Sequence, residues 1–506
     1  MKTFTLDGQS ITLNSFYEMV STKEAVFKLA DSARQKMQKS RDYIEGRIKT
    51  GEVIYGVNTG FGAFSSVRIS DSEIEQLQKN LIRSHSMGIG DPFTREQSKG
   101  MMILRANTLA RGHSGVRVAV VEKILEFLNH DIIPVIPSQG SVGASGDLAP
   151  LSHLALALIG EGEVWGGSLI SVMPLELKAK EGLSLINGCQ VMTAVGLLAL
   201  YEAQQLIKLV DISGAMSIEG LRGSRKPFDP LIAATRPHAG EAPTARNLLK
   251  VMGETSEIGE SHRLETVDHR VQDAYSLRCM PAVHGAVKMA IQYATQVLET
   301  EANASTDNPL VFADEGKILS CGNFHGMPVA HAMDFAAIAI CSLASISHER
   351  ISKFISTQMS DLPPFLAPNG GLNSGHMIVQ VASASLVSEN KVLAHPASVD
   401  SMPTSAEKED HVSMGSIAAR KFTQILKNAQ NVVAMEFLSG TQALDMIAPL
   451  KPTAGVKAAF DKIRSHVPFA KEDRIFAKDV EKIRQLLVNG DILNAVEKVT
   501  GYLEVL

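Results

Sequence analysis

Three adjacent small residues, Ala144, Ser145 and Gly146, could form a reactive group from the main chain itself. Because Gly146 has no Cβ, its amide nitrogen can approach the carbonyl carbon of Ala144 closely enough to close a five-membered ring. Loss of water from the ring carbon and from the Ser145 side chain would leave an exocyclic methylidene, which is a conjugated electrophile. The tripeptide is also compatible with an ordinary loop that caps a helix, with Asp147 as N-cap and Pro150 in the first turn.

The residues around this tripeptide decide between the two interpretations. The segment "GSVGASGDLAPLSHLAL", residues 140–156, resembles the signature of the histidine/phenylalanine/tyrosine ammonia-lyase family. Further motifs of that family follow along nearly the whole chain: "YGVNTGFG", "NGCQ", "QDAYSLRC", "STDNPL", "GNFHG" and "EDHVSMG". The resemblance implies a 4-methylidene-imidazol-5-one formed autocatalytically from Ala144-Ser145-Gly146. It implies neither a metal nor a nucleotide cofactor.

The resemblance also implies roles for individual residues. Elimination of ammonia requires a base for a weakly acidic Cβ proton, and Tyr55 matches the family's catalytic tyrosine. Its pKa, about 10 when unperturbed, would have to be lowered for this role. Arg278 matches the residue that pairs with the substrate carboxylate, to which a planar guanidinium can donate two parallel hydrogen bonds. The other matched positions are a second site tyrosine, two hydrogen-bonding amides and an aromatic wall: Tyr275, Asn187, Gln272 and Phe324.

Two positions indicate which amino acid is the substrate. Ser84-His85 resembles the pair found in histidine-type members, and the imidazole of His85 can donate to or accept from a polar substrate side chain. Glu409 stands where phenylalanine-type members carry glutamine, and a carboxylate beside a phenyl ring would be costly. The resemblance therefore favours histidine, converted to urocanate and ammonia.

Other functions remain open at this stage. Several residues depart from the histidine-type pattern: Ala274, Met280, Ala282, Met327, Glu407 and Lys408. A tyrosine or phenylalanine ammonia-lyase, or an aminomutase that returns the amine to Cβ, would use the same electrophile. A catalytically silent helical scaffold is an alternative of another class, because fold does not fix function.

Composition excludes several kinds of partner. The net charge is −5, with no basic surplus or Lys/Arg run, so we expect no binding to nucleic acid. The four cysteines have no C-x-x-C spacing, and His262 and His269 stand seven residues apart, so no metal site is predicted. The longest apolar run, from Asp334, has about a dozen residues against the roughly 20 of a membrane span, and the N-terminus lacks an apolar signal region. We expect a soluble, cytoplasmic protein.

The elements that must position these residues are mostly helical. Apolar residues recur with helical spacing in residues 285–299 and 421–437, and residues 191–210 are apolar nearly all round at first, as in a helix inside a bundle. "TFTLDGQSITL" at the N-terminus alternates around Asp-Gly and predicts a small hairpin. We predict a mainly α protein with an N-terminal catalytic part, residues 1–200, and a C-terminal bundle part, residues 201–506. The resemblance implies that long helices form the core of a homotetramer with shared active sites.

Overall fold

The computed structural model describes residues 1–60, 62–64, 67–167, 173–254, 256–261 and 271–506, and within them the chain is mainly α-helical, as predicted. The α-helices of these residues are Leu13–Ser21, Asp31–Lys49, Ile74–His85, Arg95–Ala110, Val118–Asn129, Leu148–Leu158, Glu181–Ile186, Gln190–Gly220, Pro230–Thr235, Glu241–Met252, Glu257–Ser261, Tyr275–Arg278, Met280–Ala302, Met327–Ile355, Thr357–Ser360, Met377–Leu393, Gly415–Met446, Ala454–Arg464, Phe476–Val488 and Asp491–Thr500. The short strands are Lys2–Leu6, Ala25–Leu29, Ile89–Pro92, Pro137–Gln139, Leu310–Phe312 and Lys317–Leu319, which pair two by two.

The predicted N-terminal hairpin is wrong. Strand Lys2–Leu6 pairs in parallel with Ala25–Leu29, and helix Leu13–Ser21 lies between them in the chain. Asp-Gly does turn the chain, since Asp7 Oδ1 accepts from the amides of Gln9 and Ser10 at 2.9 and 3.0 Å. Thr12 then caps the helix instead of continuing a returning strand, because its hydroxyl accepts from the amide of Ser15.

The long helices carry the largest apolar surfaces, and their sequence periods explain which faces are buried. In Gly415–Met446, the residues at helical spacing are all buried: Phe422, Ile425, Leu426, Ala429, Val432 and Val433. Helix Gln190–Gly220 buries residues on every side of its first turns, as the continuous apolar run from Val191 predicts. These helices therefore form the rigid part of the scaffold.

The described chain divides into two compact units. Unit 1 comprises residues 1–201, 294–334 and 396–420, and unit 2 comprises residues 202–293, 335–395 and 421–506. Unit 1 holds the Ala144-Ser145-Gly146 loop, and unit 2 holds the "QDAYSLRC" motif. The division into a catalytic part and a bundle part at residue 200 stays a prediction.

Helix Met327–Ile355 is, by length and composition alone, able to cross a membrane. However, 61% of its most apolar 18-residue stretch is buried inside the structure. A core helix of a protein that never enters a membrane has the same properties, so this helix is weak evidence for a span.

Candidate active site

The loop before helix Leu148–Leu158 has a main-chain conformation that only glycine adopts easily. Gly143 and Gly146 have φ of +68° and +71°. A Cβ on Gly146 would lie 2.2 Å from the carbonyl oxygen of Gly188. That oxygen accepts from the amide of Asp147 at 2.8 Å. The loop is thus pressed against residue 188, in the "NGCQ" motif of the same unit.

Asp147 occupies the N-cap position of this helix, but its side chain does not cap the helix. The buried carboxylate accepts instead from the Ser141 hydroxyl at 2.8 Å and from the Met192 amide at 3.0 Å. Burial raises the pKa of Asp147 to about 6, and these hydrogen bonds oppose that rise. Asp147 therefore ties the reactive loop to the start of helix Gln190–Gly220.

Ser145 lies at the meeting point of two distant motifs. Its hydroxyl donates to Glu409 Oε1 at 2.7 Å, across 264 residues of sequence, and the Thr404 hydroxyl donates to Glu409 Oε2 at 2.7 Å. The orientation of the Asn187 amide that satisfies both of its atoms donates from Nδ2 to the main-chain oxygen of Ser145 at 2.9 Å and accepts from the amide of Asn308 at 3.1 Å. The structure thus brings together Ser145, Glu409 and Asn187.

His85 ends helix Ile74–His85 and is partly buried. Its Nδ1 lies 3.0 Å from the hydroxyl of Ser84. Burial lowers the pKa of His85, and the negative charge of Glu409 partly offsets this effect. The two residues expected to recognise the substrate side chain therefore interact electrostatically.

Two further loops hold the Ala144-Ser145-Gly146 segment from outside. The carbonyl oxygen of Gly143 accepts from the Ser413 hydroxyl at 2.8 Å and from the Gly326 amide at 3.2 Å. Phe324 precedes Gly326 by two residues, is half-buried, and accepts at its carbonyl from Cys189 Sγ at 3.1 Å. The "GNFHG" and "EDHVSMG" motifs thus contact the same short loop.

Tyr55 lies in a turn that Asn58 stabilises. The Asn58 side chain accepts from the Ile54 amide at 2.8 Å and donates to the carbonyl of Glu52 at 2.7 Å, while Gly56 has φ of +67°. Tyr55 itself is half-buried. A turn fixed on both sides of the tyrosine can present its hydroxyl in a defined direction.

In unit 2, Tyr275 and Arg278 form a local pair. They begin and end the short helix Tyr275–Arg278, and the guanidinium carbon lies 4.6 Å from the centre of the tyrosine ring. Arg278 Nε donates to the carbonyl of Asp273 at 3.0 Å, and the Asp273 carboxylate accepts from the Ser224 amide at 2.6 Å. Gln272 is exposed. These contacts hold the Arg278 guanidinium in place through its Nε atom.

Thr404 and Arg105 contact residues of the candidate site but were not predicted from the sequence. Nothing local to Thr404 indicates that its hydroxyl would orient Glu409. Arg105 could have been noticed as a lone cation within the apolar run "GMMILRANTLA" of helix Arg95–Ala110, because such a cation is buried only with partners. Its guanidinium contacts the segment that carries Asn187 and Gly188.

Across the ranges that the structure describes, no group of three or more His, Cys, Asp or Glu side chains could hold a metal ion. His262 and His269 lie outside those ranges.

The helical scaffold holds Ser145, next to Gly146, against the Glu409 carboxylate, as expected of an ammonia-lyase. Comparisons with known proteins support this class of enzyme. A family model described as aromatic amino acid lyase matches residues 11–465. The chain belongs to the aromatic amino acid lyase family.

Individual relatives cover almost the whole chain. Histidine ammonia-lyase of Anaeromyxobacter dehalogenans is 48% identical over 97% of this chain and 99% of its own length. The crystal structure of histidine ammonia-lyase from Trypanosoma cruzi has a TM-score of 0.91 at 39% identity, covering 100% of this chain and 97% of that one. Tyrosine aminomutase from Streptomyces globisporus has a TM-score of 0.94 at 36% identity, covering 99% of each chain.

Proposed function

We propose that this chain is a histidine ammonia-lyase, which eliminates ammonia from L-histidine without oxidation to give trans-urocanate. The observation that carries the proposal is the contact between Ser145 and Glu409, with His85 within electrostatic range of the same carboxylate. A carboxylate in contact with the reactive serine, and an imidazole that interacts with that carboxylate, suit a substrate side chain that has N–H and N groups. The names of relatives that are 45–48% identical over nearly the whole chain support the same substrate.

The residues of the loop fit the proposed 4-methylidene-imidazol-5-one. Gly146 leaves its nitrogen free of side-chain crowding, and an added Cβ would collide with Gly188. Asn187 donates to the Ser145 carbonyl oxygen, which becomes the ring oxygen, and so draws electrons from the ring. These residues would hold a ring whose electrophilic methylidene would make the substrate amine a better leaving group.

Ring formation also explains what happens to Glu409. In the chain described here its Oε1 is occupied by the Ser145 hydroxyl, which leaves as water during ring formation. Thr404 keeps Oε2 in place, so the carboxylate stays oriented while Oε1 becomes available to the substrate. We propose that Glu409 then holds an imidazole N–H and that His85 and Ser84 complete the recognition of the side chain.

The remaining roles concern the carboxylate and the proton. We propose that Arg278 binds the substrate carboxylate, with Gln272 as a further donor, and that Tyr275 assists at the reacting atoms. Tyr55 removes the Cβ proton, and Phe324 forms an aromatic wall beside the ring. Each of these roles rests on the family motif that contains the residue, and the fixed turn around Tyr55 supports the role of a positioned base.

We propose a homotetramer with active sites shared between subunits. Large apolar side chains on the unit 2 portions of helices Met280–Ala302 and Met327–Ile355 are exposed in the single chain: Met289, Tyr293, Phe335 and Ile338. Exposed apolar residues of this size commonly mark an interface. The cysteines Cys189, Cys279, Cys321 and Cys341 are free thiols, which supports the proposed cytoplasmic location.

The test is incubation of the purified protein with L-histidine, L-tyrosine and L-phenylalanine in parallel. We expect urocanate and ammonia from histidine, with a kcat/KM at least 100-fold above the values for the other two. A cinnamate or coumarate as the main product would reassign the substrate. A β-amino acid with no free ammonia would reassign the chain to the aminomutases. The fold of this chain is as similar to the solved tyrosine aminomutase as to the solved histidine ammonia-lyase.

A further inference from the structure

Arg105 is a fully buried cation next to the candidate site, and no step of the proposed reaction uses it. It lies in helix Arg95–Ala110, and its guanidinium is directed at one segment, residues 184–190. It donates to the carbonyl oxygens of Ser184 and Asn187, the latter at 3.3 Å, and to Gln190 Oε1 at 2.5 Å. Burial lowers the pKa of Arg105 to about 10, and the charge of Asp307 opposes this shift, so the group stays charged at neutral pH.

The guanidinium lies directly behind Gly188. A Cβ on Gly188 would be 2.4 Å from Arg105 Nη1 and 2.5 Å from Gln190 Oε1. The same residue also limits Gly146, since a Cβ on Gly146 would be 2.2 Å from the Gly188 carbonyl oxygen. Guanidinium, Gly188 and Gly146 therefore pack in sequence with no room for a methyl group at either glycine.

Residues 184–190 contact the reactive tripeptide and the residue that follows it through one hydrogen bond each. The Gly188 carbonyl accepts from the amide of Asp147, and the Asn187 side chain donates to the carbonyl of Ser145. Arg105 donates to the main-chain oxygen of Asn187 and packs against Gly188. If the guanidinium is removed, these two contacts lose their common support, since the buried carbonyls of Ser184 and Asn187 lose a donor.

We propose that Arg105 is a positioning residue for formation of the prosthetic group. It supports Gly188 against Gly146 and so holds the main chain of residues 144–146 in the conformation required for ring closure. The inference rests on the proposed function, because it assumes that the ring forms.

The step that Arg105 assists is balanced without any outside reagent. The Gly146 nitrogen forms a bond to the Ala144 carbonyl carbon, and the Gly146 amide proton passes to the Ala144 oxygen. That oxygen leaves as water with the Ser145 amide proton, which creates a C=N bond. The Ser145 Cα proton and the Ser145 hydroxyl group leave as a second water, and the former Cβ becomes the methylidene carbon. Nothing is oxidised or reduced and no other reactant takes part. The conformation of main-chain residues 144–146 can therefore limit the rate of ring formation.

The experiment compares Arg105→Met and Arg105→Lys with Lys99→Met as a matched control. Lys99 lies on the same helix and is also a buried cation, but its Nζ donates to the carbonyls of Val20 and Thr22 at 2.9 and 3.0 Å, remote from the 184–190 segment. Loss of Lys99 therefore removes a comparable buried cation without releasing Gly188.

Each full-length protein is isolated in denaturant as a chain that has not yet folded and still has the full mass of its sequence. It is then refolded, and intact mass is followed with time alongside circular dichroism. We expect wild type and Lys99→Met to become two waters lighter at the same rate once folded. We expect Arg105→Met to regain its helical signal but lose the waters at least tenfold more slowly. Arg105→Lys, which keeps the charge but not the planar set of donors, should fall between them.

Equal rates of water loss in the folded Arg105 variants and in Lys99→Met would overturn the inference. If Arg105→Met does not fold, the rate for Arg105→Lys decides, and a rate equal to that of wild type overturns the inference. A wild-type protein that never loses two waters would overturn the proposed prosthetic group itself, and the inference with it, and this result is distinct because it appears without any substitution.

Discussion

Glu409→Gln tests directly whether substrate selection depends on a charged group. The substitution keeps the shape of the side chain and removes its charge. In the structure each carboxylate oxygen accepts from one hydroxyl, Oε1 from Ser145 and Oε2 from Thr404. Once the Ser145 hydroxyl has left, the amide can still contact Thr404, so we expect the side chain to stay in place.

The expected loss follows from the type of hydrogen bond. A bond to a charged acceptor contributes about 1.5–3 kcal/mol, and a neutral one about 0.5–1.5 kcal/mol. Exchanging one for the other on the substrate imidazole therefore costs about 1–2 kcal/mol, which is roughly a 5- to 30-fold fall in kcat/KM for histidine. In wild type the charge of Glu409 opposes the lowering of the His85 pKa by burial. The variant lacks that charge, so the pKa of His85 should fall further. An acidic limb of the pH–rate profile that reports His85 will therefore move to lower pH.

The assay is urocanate formation from histidine, with intact mass measured to show that both proteins carry the ring. Glu407→Gln is the control, because Glu407 is an exposed carboxylate in the same loop. We expect the control to stay within twofold of wild type. If Glu409→Gln also stays within twofold for histidine while carrying the ring, Glu409 does not recognise the imidazole and this part of the account is refuted.

Three further substitutions test the electrophile, the catalytic base and the pH dependence of stability. Ser145→Ala removes the hydroxyl whose loss as water creates the methylidene, so turnover should vanish while the circular dichroism spectrum stays that of wild type; retained turnover would refute the role of the electrophile. Tyr55→Phe should lower kcat by about 10²- to 10⁴-fold with the ring still present by mass, and a near-normal rate would reassign the base. Burial raises the pKa of Glu219 to about 7, against the hydrogen bonds from Thr453, so its stabilising contribution is complete below the unfolded pKa of about 4.5 and is lost as pH rises through 7. Between pH 5 and pH 8 the Tm of wild type should therefore fall more than that of Glu219→Gln, and equal slopes would contradict this.

Helical spacing predicted the scaffold because burial of one face is a property of local sequence. Phe422, Ile425 and Leu426 repeat with the period of a helix, and all three are buried. The hairpin predicted from the N-terminal alternation was wrong for an equally local reason, which the period of apolar residues does not show. Asp7 and Thr12 use their side chains on neighbouring amides, which ends the strand and starts a helix.

The site could be predicted only in part. Ser145 and Glu409 are 264 residues apart, and the resemblance gave each of them a role but did not predict their contact at 2.7 Å, which no pattern in either segment indicates. Thr404 was not predicted because its role depends on a hydrogen bond to Glu409, five residues away, that exists only in the folded loop. Arg105 was missed because a helical pattern reports which residues are apolar and says nothing of what a buried cation contacts.

The most direct test of the account is the mass of the peptide that contains residues 144–146, released by proteolysis from a preparation that converts histidine to urocanate. The account predicts a peptide two water molecules lighter than its sequence. A peptide of full mass that retains the Ser145 hydroxyl, from enzyme with undiminished turnover, would contradict it.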